Sequence, residues 1–373
     1  MSKAAASSGA DAAFMAAALS LAVRNLGDTW PNPSVGCIIV KDGVVVGRGW
    51  TQSGGRPHAE TEALKRAGAA AKGATAYVTL EPCSHQGKTP PCADALIAAG
   101  IDTCVVAIQD PDPRVNGAGL ARLRAAGITV RTGVETEAAG ELIAGFRLRV
   151  IEGRPLVTLK VATTLDGRIA THGGESQWIT GEAARRRGHL MRAQHDAVLV
   201  GARTAIVDDP ALTCRIPGLE SRSPVRVVID GNMWLPLTHR LVVTAKAVPT
   251  WLIVAGDAHP VRRQAFADCG LVIVEVARGA DGWLDLADIM RQIGARGLTR
   301  ILSEGGSRLS ASLVRAGLVD RLAWFRAASV IGGDGLPVLA PFGVEHLADA
   351  PRWRRVNVEV VADDLLETFA RPL

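Results

Sequence analysis

The chain reads as two α/β domains in series, and three observations predict this. At 373 residues it exceeds the length at which one core usually keeps growing. Strand-like and helix-like segments alternate through both halves, as in layered sheets that carry helices. Between the halves, a helical stretch over 135–153 ends at Gly153 and runs into Arg154-Pro155, a helix stop followed by a breaker. The boundary therefore falls at 153/154, giving domains 11–153 and 154–373 behind a disordered leader over 1–10.

The opening MSKAAASSGADAAFMAAALSLAVRN is alanine-rich, but Asp11 interrupts it and Met15, Leu19, Ala22 and Leu26 recur at helical spacing. An amphipathic helix fits this better than a signal peptide. VGCIIV-KDG-VVVGRGW then predicts a hairpin turning at Asp42-Gly43. Residues 58–68 are helical, 74–80 a buried strand, 90–100 a helix opened by prolines, and 104–110 a strand. GLARLRAAG and ITVRTGV add a helix and a strand. The second half starts with VTLKVATTLDG over 157–167, then a helix near 181–194 and strands over 196–202 and 225–230. WLIVAG, LVIVEV and 300–306 continue the strands, with helices near 284–296 and 307–317. VNVEVVADDLLETFARP closes as an antiparallel hairpin.

Composition narrows the function classes. Aromatic residues make up 4% of the chain and net charge is +5, too few rings and too diffuse a charge for a stacking-based nucleic-acid binder. The mild basic excess suits an anionic small molecule. Six scattered cysteines do not form a secreted disulfide framework, and no apolar run is long enough to span a membrane. A cytoplasmic protein is expected.

The chemistry concentrates first in PHAE and TLEPCSHQGKTPPC. His58, Cys83 and Cys92 supply one imidazole and two thiolates, which suits zinc with a fourth position left for water. Cys83 follows a strand, and His58 and Cys92 stand at predicted helix starts, where the helix dipole favours thiolate. Glu60, two positions from His58, can reach such a water without ligating the metal and carry its proton. Zinc base deaminases show H-x-E followed by P-C-x-x-C; here the second spacing is PC-x8-C. The bland alternatives are a closed structural zinc clip completed by His85, or three unrelated buried residues.

PNPSVGCIIV, GGRPHAETEAL and TLEPCSHQGKTPPC together resemble the deaminase domain of the bifunctional riboflavin-biosynthesis deaminase/reductase family. The resemblance implies a cytidine-deaminase-like three-layer α/β/α domain. It places zinc on His58, Cys83 and Cys92, makes Glu60 the catalytic proton shuttle, and sets Asn32, His85, Lys88 and Asp110 against the substrate. Two positions depart from the pattern: Thr51 stands where histidine is common, and Asp112 where asparagine is, both on the sugar-phosphate side.

The second half has no GxGxxG after a strand, so a Rossmann site is not signalled. Arg192 and Arg215 are candidates for fork-like phosphate recognition, whereas Arg185, Arg186 and Arg187 read as a solvated helix face. SEGGSRLSASL sets Glu-Gly-Gly-Ser between a strand and a helix, where free N–H groups can cradle a diphosphate, although Gly-Gly is also an ordinary turn. In order along the chain these segments resemble the reductase domain of the same family, which implies a dihydrofolate-reductase-like α/β fold and NADPH. By position, Lys160, Ser176, Arg192, Leu212, Arg215 and Glu304 would hold substrate. Ala162, Trp178, Thr204, Asp208 and the turn of Gly306, Ser307, Arg308, Leu309, Ser310, Ala311 and Ser312 would hold NADPH.

The expectation is a zinc hydrolase and NADPH reductase acting in succession on phosphorylated pyrimidines, assembled as a homodimer or homotetramer, with no nucleic-acid or membrane partner. Rival readings are a deaminase for another base with a degenerate binding module behind it, and a zinc-stabilised nucleic-acid-binding protein.

Overall fold

The computed structural model describes residues 9–86 and 90–372. The chain divides at Gly153/Arg154 into two compact units.

The first unit holds a five-stranded sheet in the order β2-β1-β3-β4-β5. Its strands are β1 (Gly36–Lys41), β2 (Val44–Trp50), β3 (Thr75–Val78), β4 (Thr103–Val106) and β5 (Thr129–Thr132). β1 pairs antiparallel with β2 and β3, and the last three strands run parallel. The β1–β2 turn is the expected two-residue one, with both Asp42 and Gly43 at positive φ, as a type I′ turn requires.

Alternation splits the buried residues between two faces. Cys37, Ile39, Ala76, Val78, Cys104 and Val106 meet helices α2 (Ala59–Ala67), α3 (Cys92–Ala98) and α4 (Ala118–Ala125). Ile38, Val40, Tyr77 and Val105 meet α1 (Gly9–Ala22) and α5 (Thr136–Leu142). The unit is three layers, α/β/α. Met15 and Leu19 are both buried, worth about 1.5–3 kcal/mol each as full burials.

Helix α1 begins inside the expected leader: Gly9 and Ala10 are helical, and residues 1–8 lie outside the described residues. Asp11 explains the start. It stands in the first turn, where a carboxylate opposes the helix dipole, and accepts from Tyr77 at 2.8 Å and Arg131 at 2.5 Å. The single helix expected over 135–153 is two, α5 and α6 (Ala144–Glu152), because Ile143 leaves helical geometry at ψ 5°.

The second unit is built on a nine-stranded sheet, β11-β10-β9-β8-β12-β6-β13-β16-β15. In chain order its elements are β6 (Leu156–Thr163), β7 (Arg168–Ala170), α7 (Glu182–Ala193), β8 (Ala197–Gly201), α8 (Ala202–Asp208), β9 (Val225–Ile229), α9 (Arg240–Val243) and β10 (Thr250–Ala255). Then come α10 (Pro260–Asp268), β11 (Val272–Val276), α11 (Leu286–Ala295), β12 (Arg300–Ser303), α12 (Ser307–Arg315), β13 (Arg321–Arg326), β14 (Leu336–Pro337), β15 (Arg354–Val361) and β16 (Asp364–Ala370).

Strands β11 through β13 are parallel, and near-continuous apolar runs such as TWLIVA fit burial on both faces. The tail forms the expected antiparallel hairpin on β13. Helices α8, α9 and α10 carry little amphipathic signal and were not expected. Sheet β7–β14 is a separate two-stranded ribbon.

Candidate metal centre and reductase site

Three chain segments bring the metal donors together. His58 ends an extended stretch as the N-cap of α2, Cys83 follows β3 by a short loop, and Cys92 is the first residue of α3 after Pro90-Pro91. The His58 Nδ1 atom lies 3.3 Å from Cys92 Sγ and 3.7 Å from Cys83 Sγ, and all three donor atoms fall within 4.8 Å of one another. Tetrahedral zinc with ordinary Zn–N and Zn–S bonds would set nitrogen and sulfur about 3.6 Å apart, so the donor set fits that ion.

The electrostatics fit it too. The hydrogen bond from the Cys92 thiol, helped by His58 and the Cys92 N–H at 3.3 Å, holds the Cys83 thiol down at about 4. Cys92, as the donor to Cys83 and a buried group, is pushed up. Glu60 sits in the first turn of α2, 4% exposed, and burial raises its carboxyl to about 7 against the pull of His58. A carboxyl poised near neutrality both takes and returns protons.

The expected substrate residues are placed unevenly. Asn32 donates its side-chain amide to the Gly55 carbonyl at 2.9 Å. Gly55 has φ +82°, and a Cβ there would lie 2.4 Å from the Asn32 amide nitrogen, so only glycine lets Asn32 take this position. Asp110 is buried; its carboxylate accepts from Asp112 N–H at 2.8 Å, and burial raises it to about 6. His85 is exposed and stands apart from the three donors, and Lys88 lies outside the described residues.

The two atypical positions are tied to the protein's own backbone and side chains. Thr51 is buried and accepts from the Val35 N–H at 3.0 Å, while Asp112 pairs with Arg114. Sequence reasoning assigns no role to Glu81 or Gly55. A carboxylate wedged between a buried strand and Pro82-Cys83, and a Gly-Gly pair before RPHAE, were the available signals.

In the second unit, the end of β12 gathers the polar groups. Glu304 follows β12 and receives a two-pronged Arg192 guanidinium from α7, at 2.6 and 3.0 Å. Arg192 also donates to the Thr213 carbonyl at 3.0 Å, so its guanidinium is held by protein acceptors on both sides. Lys160, on β6, stands 4.0 Å from Glu304, and burial lowers its pKa. Arg215 is exposed and donates to His189 at 3.3 Å. Leu212 adopts φ +54° and buries its side chain in the core, leaving only its backbone for a ligand. Ser176 is exposed on the loop before α7.

The expected NADPH turn is, from Ser307 onward, the helix α12, with Gly306 as its N-cap. The Ser310 and Ala311 side chains are buried and Arg308 is exposed, so its first-turn N–H groups are the available donors. Among the described residues the buried Ser307 hydroxyl finds no hydrogen-bond partner, and a Cβ on Gly306 would press to 3.2 Å from Thr204 Oγ1. A helix start of this kind suits a diphosphate. Thr204 lies in α8 and Asp208 ends it; Ala162 lies on β6. Trp178 is 64% exposed, with the Arg185 guanidinium 4.7 Å from its ring centre.

Fold and sites together define a zinc-dependent deaminase joined to a nucleotide-dependent reductase. Residues 8–108 match the cytidine and deoxycytidylate deaminase zinc-binding region, and residues 155–366 match the RibD C-terminal domain. The riboflavin biosynthesis protein RibD of Escherichia coli is 44% identical over 95% of this chain and 98% of its own. That of Aquifex aeolicus is 40% identical over 97% and 98%. The chain belongs to the RibD family, the bifunctional deaminase/reductases of riboflavin biosynthesis.

Solved structures agree. Acinetobacter baumannii RibD superposes with a TM-score of 0.88 at 36% identity, covering 98% of this chain and 99% of that one. The diaminohydroxyphosphoribosylaminopyrimidine deaminase/5-amino-6-(5-phosphoribosylamino)uracil reductase of Thermotoga maritima gives 0.85 at 35%, covering 97% and 99%. The fold class is thus the expected one, a deaminase-like three-layer unit and a dihydrofolate-reductase-like unit. The family's deaminase half is zinc-dependent and its reductase half NADPH-dependent, and the residues here fit both groups. Among the described residues, no helix is long and apolar enough to cross a membrane.

Proposed function

We propose that the first unit hydrolyses the 2-amino group of 2,5-diamino-6-(5-phosphoribosylamino)pyrimidin-4-one, and that the second reduces the ribosyl chain of the resulting uracil to ribityl. The observation that carries this is the convergence of His58, Cys83 and Cys92 beside the buried Glu60. The name of the Thermotoga protein supports the substrate pair.

Zinc on these three donors supplies an activated water at neutral pH. Glu60 would take the two protons of the attacking water in turn, passing the first to the ring nitrogen and the second to the amino group, which leaves as ammonia. Asn32, His85, Lys88 and Asp110 hold the pyrimidine and its ribose phosphate.

In the second unit NADPH supplies the hydride, and the protein's work is positioning. Lys160 and Glu304 face the reacting sugar, with Ser176, Arg192, Arg215 and the Leu212 backbone around it. Ala162, Trp178, Thr204, Asp208 and the start of α12 hold the nucleotide.

The same reading makes the chain a cytoplasmic homodimer or homotetramer. Six unbridged cysteines support the compartment. The edge strand β15, with Val356, Val358 and Val360 at 54%, 49% and 74% exposure, supports self-association. One coupled assay tests the activity: ammonia release followed by NADPH consumption from the phosphorylated diaminopyrimidine. Ammonia without NADPH consumption removes the second step, and neither removes both.

A further inference from the structure

We propose that Glu81 is a positioning residue for deamination, its carboxylate fixing the segment that carries Asp110 against the loop that carries Cys83. The inference rests on the reading of Asp110 as a substrate contact.

Glu81 is 3% exposed and directly precedes Pro82-Cys83. A carboxylate this buried is costly unless its acceptor sites are filled. Among the described residues no cation pairs with it; four backbone N–H groups do the filling. Oε2 accepts from Asp110 at 3.1 Å and Gly117 at 2.9 Å, and Oε1 accepts from Gly119 at 2.9 Å and Leu120 at 3.2 Å. The Glu81 N–H in turn donates to the Ile108 carbonyl at 3.0 Å. One side chain thus grips both ends of the arch from Asp110 to Leu120, and the far end includes the first turn of α4, where the helix dipole favours an anion.

The grip reaches the chemistry through Asp110. Its N–H sits on Glu81 while its carboxylate accepts from Asp112 within the arch, so the direction of that carboxylate follows from where Glu81 holds the backbone. Gly119 shows how close the two segments lie. A Cβ at this position would stand 2.0 Å from the Pro82 carbonyl oxygen, so no other residue allows the approach. Two independent features, a filled carboxylate and a glycine contact, hold the 110–120 segment against the Glu81-Pro82-Cys83 segment. The first segment opens with the substrate-facing Asp110, and the second ends on the metal ligand Cys83.

A residue that only held the fold would lower stability and depress every deaminase parameter together. A positioning residue moves one of them. Glu81→Gln is near-isosteric, but its amide nitrogen cannot accept, so two of the four N–H groups lose their partner. In the full chain loaded with zinc, the expected result is a KM for the diaminopyrimidine raised by about tenfold or more, with kcat within about threefold. Zinc should stay at one per chain, and reduction of the deaminated substrate should be unchanged. Gly119→Ala, which leaves Glu81 intact but forces the segments apart, should give the same split and carries the test if Glu81→Gln does not fold. In an Asp110→Asn background, Glu81→Gln should add little, since both act on one contact.

Wild-type KM in Glu81→Gln, loss of zinc, a matched fall in kcat, or full additivity with Asp110→Asn would each overturn the positioning role. Wild-type KM in Asp110→Asn alone would instead overturn the substrate role of Asp110, and the role of Glu81 with it.

Discussion

Arg192 and Glu304 meet fork to fork, Nε on Oε1 at 2.6 Å and Nη2 on Oε2 at 3.0 Å, joining α7 to the end of β12. Although burial pushes the other way, the charges of Arg192 and Lys160 hold the Glu304 carboxyl down at about 2. Glu304→Gln leaves Arg192 and Lys160 without their counter-charge in a mostly buried site. The expected cost is about 3 kcal/mol in unfolding free energy, with reduction of the deaminated substrate falling steeply and ammonia release near normal. Denaturant unfolding and two single-step assays check this; an unfolding midpoint equal to wild type would remove the pair's structural role.

Glu60→Gln is expected to keep fold and zinc and to lower ammonia release by roughly 10²–10⁴-fold, since an amide hydrogen-bonds but moves no proton. Reduction of the already deaminated substrate should continue at the wild-type rate. A variant within about threefold of wild type in ammonia release would rule out Glu60 as the proton carrier.

Cys83→Ser should lose its zinc. The thiolate held at about 4 becomes a hydroxyl that stays protonated at neutral pH, leaving His58 and Cys92 as a two-donor set. Metal analysis after gel filtration decides it, and one full equivalent of zinc would take Cys83 out of the ligand set.

His195 makes acid a local threat to the reductase unit. Burial first, then the nearby Arg300 charge, lowers its pKa from 6.5 to about 4. Its ring is satisfied as the neutral form, Nδ1 donating to the Met191 carbonyl at 2.7 Å and Nε2 accepting from Thr158 at 2.9 Å. The unfolded chain binds a proton below 6.5 that the folded chain refuses until about 4. Stability from this group is therefore full above pH 6.5 and falls across that window by about 1.4 kcal/mol per unit. Urea midpoints at pH 7 and pH 5 should differ by less in His195→Gln than in wild type.

The alternation of strands and helices was readable wherever a segment was long and patterned, as in TWLIVA or HAETEALKRAG. It failed where tertiary contact outweighed pattern. Ile143 breaks one expected helix into two, and short α8 and α9 have too few turns to show a face. The three zinc donors were visible because thiols and imidazoles in a helix-start context are uncommon and chemically pointed. The roles of Gly55 and Glu81 were not, because Gly55 makes room for the Asn32 side chain and Glu81 holds backbone N–H groups from Asp110 to Leu120, distances no local spacing encodes. The Arg192–Glu304 pair was hidden for the same reason: its two members are 112 positions apart.

Strand order also dictates how the chain can be made. β6 opens the second unit yet lies between β12 and β13, with Leu156 opposite Arg300 and Thr158 opposite Arg321. Its earlier-made neighbour, β12, leaves the ribosome roughly 140 residues after it, an interval on the order of ten seconds at common synthesis rates. Throughout that interval the apolar run LVTLKVAT has no native strand to join, whereas every strand of the first unit has already emerged. The deaminase unit can fold during translation; the reductase unit has to wait for its own tail, and a nascent chain stalled before β12 is an exposed, aggregation-prone edge.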